Sequence, residues 1–318
     1  MHDLSRIRVR KQTMSLGYMT GKFLKILTLL ICSILLAGTA MAAVTADDLA
    51  EGKAKREVVK IFSPEGKRLT VHQIAKSGEP DLIYSSALKY YEAERWGKSA
   101  ELFDACRAYF AGSIREDSIA FFSARSKFKE RDYSEATVKL EDFRRKFGRS
   151  VFLEDAEAML AMCSYYLAPG PSRDQTVTSQ AIIAFSEFNE RYPNSKRVEA
   201  FKNLIEELTE RLKEKSYINA YTYFKIQRYK SAVIAFRNAL KQFPETHHHE
   251  DILYYISVSS YRLAHNSIES KQAERYLDML DTYYSFIETY PESKRCKELE
   301  RYAKEAKDYL DKNNIEKQ

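Results

Sequence analysis

The sequence predicts an all-α fold: a right-handed superhelical solenoid of about five helix pairs, closed by a C-terminal capping helix. Three observations predict it. One phrase, an aromatic residue, a helix-stopper, one further residue and then Ser or Thr, recurs along the chain. It stands as Phe147-Gly148-Arg149-Ser150, Tyr192-Pro193-Asn194-Ser195, Phe243-Pro244-Glu245-Thr246 and Tyr290-Pro291-Glu292-Ser293, with a shifted first copy at Phe110-Ala111-Gly112-Ser113. The aromatics fall 37, 45, 51 and 47 residues apart, a period that marks a helical-repeat array. Finally, 318 residues hold only 10 Gly and 7 Pro but 22 Tyr and 17 Phe, a composition that favours long amphipathic helices over sheet.

Each phrase is read as the end of one helix and the start of the next. Pro and Gly do not continue a helix, and Ser or Thr can accept from the orphan N–H groups of the helix that follows. Acids three or four residues beyond most of these Ser or Thr positions suit the positive end of a helix.

Residues 1–42 read as an export signal. A basic start leads into the apolar run Ile26 to Gly38, and Ala40-Met41-Ala42 offers a small-residue cleavage site before Ala43. The run is short for a transmembrane helix of about 20 residues; an uncleaved anchor is the alternative, and translation could begin at Met14 or Met19. This segment also accounts for the net charge of +6, because the remaining 45 basic and 44 acidic residues nearly cancel. So balanced a chain lacks the electrostatic footprint of a nucleic-acid binder.

Residues 43–80 form an extended N-terminal segment without helical periodicity. Val58 to Phe62, Ser63-Pro64-Glu65-Gly66 and Arg68 to Val71 resemble strand, turn and strand. A lone hairpin is marginal in water, so it is expected to pack on the first repeat or join a partner.

The repeat domain covers 81–318, with Asp81 opening the first pair. Small and aromatic residues recur at packing positions: Ala87, Tyr90, Trp96, Ser99, Phe103 and Cys106 first, and Ala124, Tyr133, Ala136, Leu140 and Phe143 second. The fourth pair is clearest, with Ala220, Tyr223, Tyr229, Ala232, Phe236, Ala239 and Pro244. Small residues let two helices approach while aromatics fill the groove beside them, which makes the pairs tetratricopeptide-like. Repeats three to five exceed the ideal of about 34 residues. The surplus is placed in a loop at Ala168 to Thr176 and around His265 to Ser270. A polar amphipathic helix from Lys294 to about Tyr309 reads as the cap.

No catalytic constellation stands out, neither a Gly-rich phosphate loop, nor HExxH, nor GxSxG, and no cofactor is expected. With Cys32 inside the signal, Cys106, Cys163 and Cys296 read as free thiols. His247-His248-His249 is expected to begin a helix, where side chains one apart diverge; a solvated helix start is the leading reading and a metal site the lesser one. The inner, concave face is the expected working surface. Tyr84, Leu88 and Tyr91 with Phe121, Arg125 and Phe128 are expected to line it as a peptide-binding groove, the alternative being that the aromatics pack against the next helix.

In several of its motifs the chain resembles the BamD family of outer-membrane protein assembly factors, in its Bacteroidota-type form. The likeness runs from about Leu82 to Lys304. It rests on Ala87-Leu88-Lys89-Tyr90-Tyr91, Asp174-Gln175-Thr176 before Ala181-Ile182, and Arg191-Tyr192-Pro193-Asn194-Ser195. Asn266 to Lys271 before Glu274-Arg275-Tyr276, and Tyr283-Tyr284-Ser285-Phe286 leading into Tyr290 to Lys294, complete it. The resemblance implies a non-catalytic scaffold, peripheral to the outer membrane on its periplasmic face. Its C-terminal repeats would dock a BamA-like barrel protein within the assembly machinery, through Arg262, Glu269, Lys271 and Arg275. Its N-terminal repeats would receive unfolded outer-membrane proteins by their C-terminal segment, at the six groove residues. The sequence departs from the family at the lipobox: Cys32 follows Leu29-Leu30-Ile31, with Ile where a small residue belongs. The competing reading is a periplasmic tetratricopeptide adaptor for envelope synthesis or secretion, similar in build to CpoB-like proteins.

Overall fold

The structure, a computed structural model, describes residues 58–63 and 66–313. The expected export signal with Cys32, and residues 43–57 of the segment 43–80, lie outside them, as do Pro64 and Glu65 of the expected turn. Within the described part of that segment, β1 (Ile61–Phe62) pairs antiparallel with β2 (Arg68–Leu69), Ile61 opposite Leu69. The second strand ends two residues before Val71, because Thr70 caps a short helix, α1 (Val71–Ala75), in a reciprocal capping box with Gln73. Ile61 and Ile74 are buried with Ile83, Ala87, Leu102 and Phe103, so the hairpin and α1 cover the first repeat.

Five antiparallel pairs follow: α2 (Pro80–Glu92) with α3 (Trp96–Arg107), α4 (Glu116–Glu130) with α5 (Tyr133–Lys146), and α6 (Leu153–Leu167) with α7 (Thr176–Arg191). After them come α8 (Val198–Lys225) with α9 (Tyr229–Gln242), α10 (His249–His265) with α11 (Glu269–Thr289), and the capping α12 (Cys296–Lys312). Each helix packs chiefly against its sequence neighbours, as an all-α repeat array requires. The small positions are closed: Ala87, Ser99, Ala124, Ala136, Ala220 and Ala232 are wholly buried, and the Ser99 hydroxyl donates to the Ala87 carbonyl at 3.1 Å. Tyr223 departs from the packing pattern and is exposed.

The surplus length is distributed differently from the sequence reading. The loop between α6 and α7 is present, and the buried Gln175 closes it by donating to the carbonyls of Gly170 (2.8 Å) and Arg173 (3.2 Å). Around His265 to Ser270, however, only residues 266–268 connect α10 to α11. The extra residues of repeats four and five lie in helix, 28 residues in α8 and 21 in α11.

The recurring Ser or Thr also acts differently from an N-cap. Its oxygen accepts from the N–H two residues on, at Arg115, Phe152, Arg197, His248 and Arg295 (3.2–3.3 Å), one turn before the helix itself starts. The Ser hydroxyl in turn donates to an acid of the preceding repeat: Ser150 to Asp117, Ser195 to Glu154 and Ser293 to Glu250, each at 2.7 Å. An Arg two residues after the Ser adds ion pairs to the same helix, Arg115 to Asp81 (3.0 Å) and Arg197 to Asp155 (2.6 Å), with Arg295 joined to Asp251. The acids of each phrase thus serve the next repeat, forming a ladder along the array.

The ladder breaks once. Among the described residues Glu199, the acid that matches Asp117 and Glu154, pairs only with the neighbouring Lys202 (3.5 Å), because α8 runs about three turns longer than its counterparts. The core breaks at the same place. Phe122 borders both of the first two hydrophobic clusters, and Phe224 and Leu253 border both of the last two. The second cluster ends at Leu208 and the third begins at Ala220, and no residue from 209 to 219 is buried.

Candidate functional site

Spacing by four and then three places Tyr84, Leu88 and Tyr91 on one face of α2 and Phe121, Arg125 and Phe128 on one face of α4. The structure separates these six. Phe121 (1% exposed) and Phe128 (8%) belong to the core. Phe121 stacks on Phe152 at 4.6 Å between centroids, and Phe128 meets Tyr133 and Tyr166. These two side chains are withdrawn from any groove, because helix α6 packs over their side of α4.

Tyr84, Leu88, Tyr91 and Arg125 keep part of their surface. Tyr84 rests against Phe103 and Phe110, with the Arg115 guanidinium 5.4 Å from its ring. Tyr91 meets Trp96 and Phe122 edge-on, both at 5.1 Å, and Arg125 lies 5.9 Å from its ring. Burial raises the Tyr91 phenol against the pull of Arg125, so it stays a neutral hydroxyl. Arg115 pairs with Asp81, whereas Arg125 has no carboxylate within ion-pair distance among the described residues. The result is a half-buried apolar strip with a guanidinium at either end, only one of them neutralised. Trp96, read from the sequence as a packing residue, supports this strip together with Phe122, which escaped the sequence reading. Phe122 follows Phe121 directly, and only the packing decides which of the two faces the core.

At the other end, Arg262, Glu269 and Lys271 are exposed near the short turn between α10 and α11, beside Ile268 (67% exposed). The Arg262 guanidinium lies 6.0 Å from the Tyr261 ring. Arg275 points back into the turn: it donates to the Ser267 hydroxyl, which donates to the Leu263 carbonyl. Arg275 therefore fastens this turn, and the outward-facing charges are Arg262, Glu269 and Lys271.

At the His cluster the helix boundary differs from the sequence reading. Helix α10 starts at His249, so His247 and His248 sit in the turn before it, with ring centroids 4.0 Å apart. Both face carboxylates of α8. His248 Nε2 is 2.6 Å from Glu214 Oε2, His247 Nε2 is 3.8 Å from the same oxygen, and His247 Nδ1 is 3.2 Å from Glu210. His249 turns away to the Tyr290 hydroxyl at 2.9 Å. Glu214, His247 and His248 are the residues whose donor atoms could hold a metal ion among the described residues.

An all-α array of helix pairs, each packed on its sequence neighbours, defines a helical-repeat protein. No helix among the described residues is long and apolar enough to cross a membrane. A family model described as YfiO, outer membrane lipoprotein, matches residues 76–276, and the chain belongs to that family. The putative outer membrane protein assembly factor BamD of Aquifex aeolicus (strain VF5) is 26% identical over 181 residues, which span 56% of this chain and 59% of that protein. Among solved structures, the TPR2AB-domain:pHSP90-complex of yeast Sti1 aligns with a TM-score of 0.35 and 13% identity, covering 72% of this chain and 98% of that one.

Proposed function

We propose that the chain is a non-catalytic scaffold for outer-membrane protein assembly, held at the periplasmic face of the outer membrane. Membership of the outer membrane lipoprotein family and the likeness to a putative assembly factor support this reading. The observation that carries its receiving role is the strip Tyr84, Leu88 and Tyr91 with Arg125 at its end. An extended segment of an unfolded outer-membrane protein would lay apolar side chains on the strip and bring its terminal carboxylate to Arg125, a charge-assisted contact. Arg262, Glu269 and Lys271 would dock a BamA-like barrel protein, with Arg275 shaping the turn that presents them.

Arg125→Ala tests this, since Arg125 packs on the surface and its loss leaves the core intact. C-terminal peptides of outer-membrane proteins are expected to bind the variant at least about tenfold more weakly, the worth of one good charged contact. Co-purification of the BamA-like protein from envelopes should be unchanged, while Lys271→Glu should show the reverse pattern. Peptide capture undiminished by Arg125→Ala would refute the receiving role. Absence of any barrel-assembly protein from the co-purified material would favour an envelope-synthesis adaptor instead.

A further inference from the structure

In the ladder between repeats, the second residue after the Ser or Thr is an Arg at three turns, Arg115, Arg197 and Arg295, each paired with an acid of the preceding repeat. After Thr246 that position is His248, and His247 stands beside it. The partner acids change in step. Glu210 lies eleven residues beyond Glu199, three turns of 3.6 residues, and so falls on the same face of α8; Glu214 lies one turn further. At the one joint where the ladder's ordinary acid is out of reach, the fold substitutes two imidazoles and a pair of carboxylates.

We propose that Glu214, His247 and His248 form a binding site for a divalent cation of the zinc class, which clamps the middle of α8 to the turn entering α10. Two imidazoles and one carboxylate are a familiar zinc donor set that leaves a fourth position for water. The three donor atoms all lie within 4.8 Å of one another. Tetrahedral coordination with bonds of about 2.0–2.1 Å puts donors roughly 3.3 Å apart, so adjustments on the order of an ångström in two surface side chains complete the site.

The surroundings are those of a metal centre rather than of one ion pair. Both rings direct Nε2 toward Glu214, and both present Nδ1 to a second carboxylate, His247 to Glu210 at 3.2 Å and His248 to Asp251 at 3.6 Å. The hydrogen bond to Glu210 fixes the His247 tautomer that leaves Nε2 free to ligate, and Asp251 lies behind the His248 ring on the same side. The His248 ring is stacked on Tyr217 at 4.0 Å and 7°, which holds its orientation. Lys213 on Glu210 (2.6 Å) and Arg295 on Asp251 anchor the outer carboxylates. Ordinary His–Glu pairing would need one ring and one acid, whereas here two rings converge on a single oxygen.

The test uses the chain purified through a tag without histidine. Zn2+ is titrated in competition with a chromophoric chelator, and Co2+ is added separately to read coordination from its d–d absorption. One zinc per chain is expected. Glu214→Gln and His247→Ala should each weaken binding at least tenfold and abolish the intense absorption of low-coordinate cobalt. His249→Gln should bind within twofold of the parent, because His249 is engaged with Tyr290. Circular dichroism checks that every variant remains helical. In the parent alone, zinc should slow amide exchange across 209–219. Equal loss in His249→Gln would mean that any histidine triplet suffices, and unchanged binding in Glu214→Gln would mean that α8 takes no part; either result overturns the site.

Discussion

The two ends of α8 and its middle belong to one helix but are held by different physics. The first end sends Phe201 and Leu208 into a core shared with Phe185 and Phe188, and the far end closes Ala220 under Ala232 and Phe236. Between them the contacts are mostly polar, with Tyr217 alone reaching the core of the far end beside Phe236. Tyr165 donates to Glu207 at 3.0 Å, Arg211 covers the Tyr165 ring at 5.3 Å, and Lys215 donates to the Ser172 carbonyl at 3.1 Å. Continuous helix therefore does not mean continuous core. Hydrophobic stabilisation scales with apolar area removed from water, and the middle of α8 removes little, so the array is expected to behave as two packed blocks joined by a polar segment.

The largest effects should come from the cores. Phe185→Ala and Phe236→Ala, both wholly buried, are each expected to cost about 3–5 kcal/mol in denaturant unfolding. Thiol labelling can show whether each loss stays in its own block. Burial pushes the Cys106 thiol up to about 11 and the Cys163 thiol up to about 12, so both should resist alkylation at pH 8 while the half-buried Cys296 reacts. Phe185→Ala should expose Cys163 to labelling and Phe236→Ala should not. Labelling of Cys163 in both variants would mean a single cooperative unit.

A smaller effect is expected at Asp142, which links α5 to α3 inside the first block. Arg107 (2.6 Å) chiefly, then Arg145 and Lys146, hold its carboxyl well below the usual carboxylate range, against the opposing effect of burial. A depressed folded pKa contributes stability that is present above the unfolded value and lost as pH falls through the folded one. Asp142→Asn should thus cost on the order of 1 kcal/mol at pH 7. The difference from the parent should persist at pH 5 and shrink as the solution is taken below about pH 4. A difference that grows on acidification would contradict the assignment.

The smallest effect should lie in the polar segment. Arg211→Ala removes the pair with Glu207 and the cover of Tyr165, and should cost only about 0.5–1 kcal/mol. A loss as large as that of Phe185→Ala would mean that the middle of α8 is as tightly packed as its ends.

Much of this architecture was legible before any coordinates, because it is written in local signals. Each aromatic-Pro or aromatic-Gly phrase does end a helix, and the small residues Ala87, Ala124 and Ala220 mark where helices touch. The length of α8 was not legible, since residues 209–219 carry an ordinary amphipathic pattern that fits a helix of any length. The partners of Ser150, Ser195 and Ser293 were hidden for another reason: they lie a whole repeat upstream, and no local pattern joins them. In the candidate strip, spacing put Phe121 and Arg125 on one face correctly but could not say that α6 would cover Phe121 and Phe128. At the His cluster the sequence placed the helix start two residues early. With the helix starting at His249 instead of His247, neighbouring imidazoles converge.

Amide hydrogen exchange along α8 tests the two-block account most directly. Exchange from a region follows the free energy of its local opening. The account predicts that amides from 209 to 219 exchange well before those near Leu208 and Ala220, with Phe185→Ala hastening only the first end and Phe236→Ala only the second. Uniform protection along the whole helix, lost together in either variant, would contradict it.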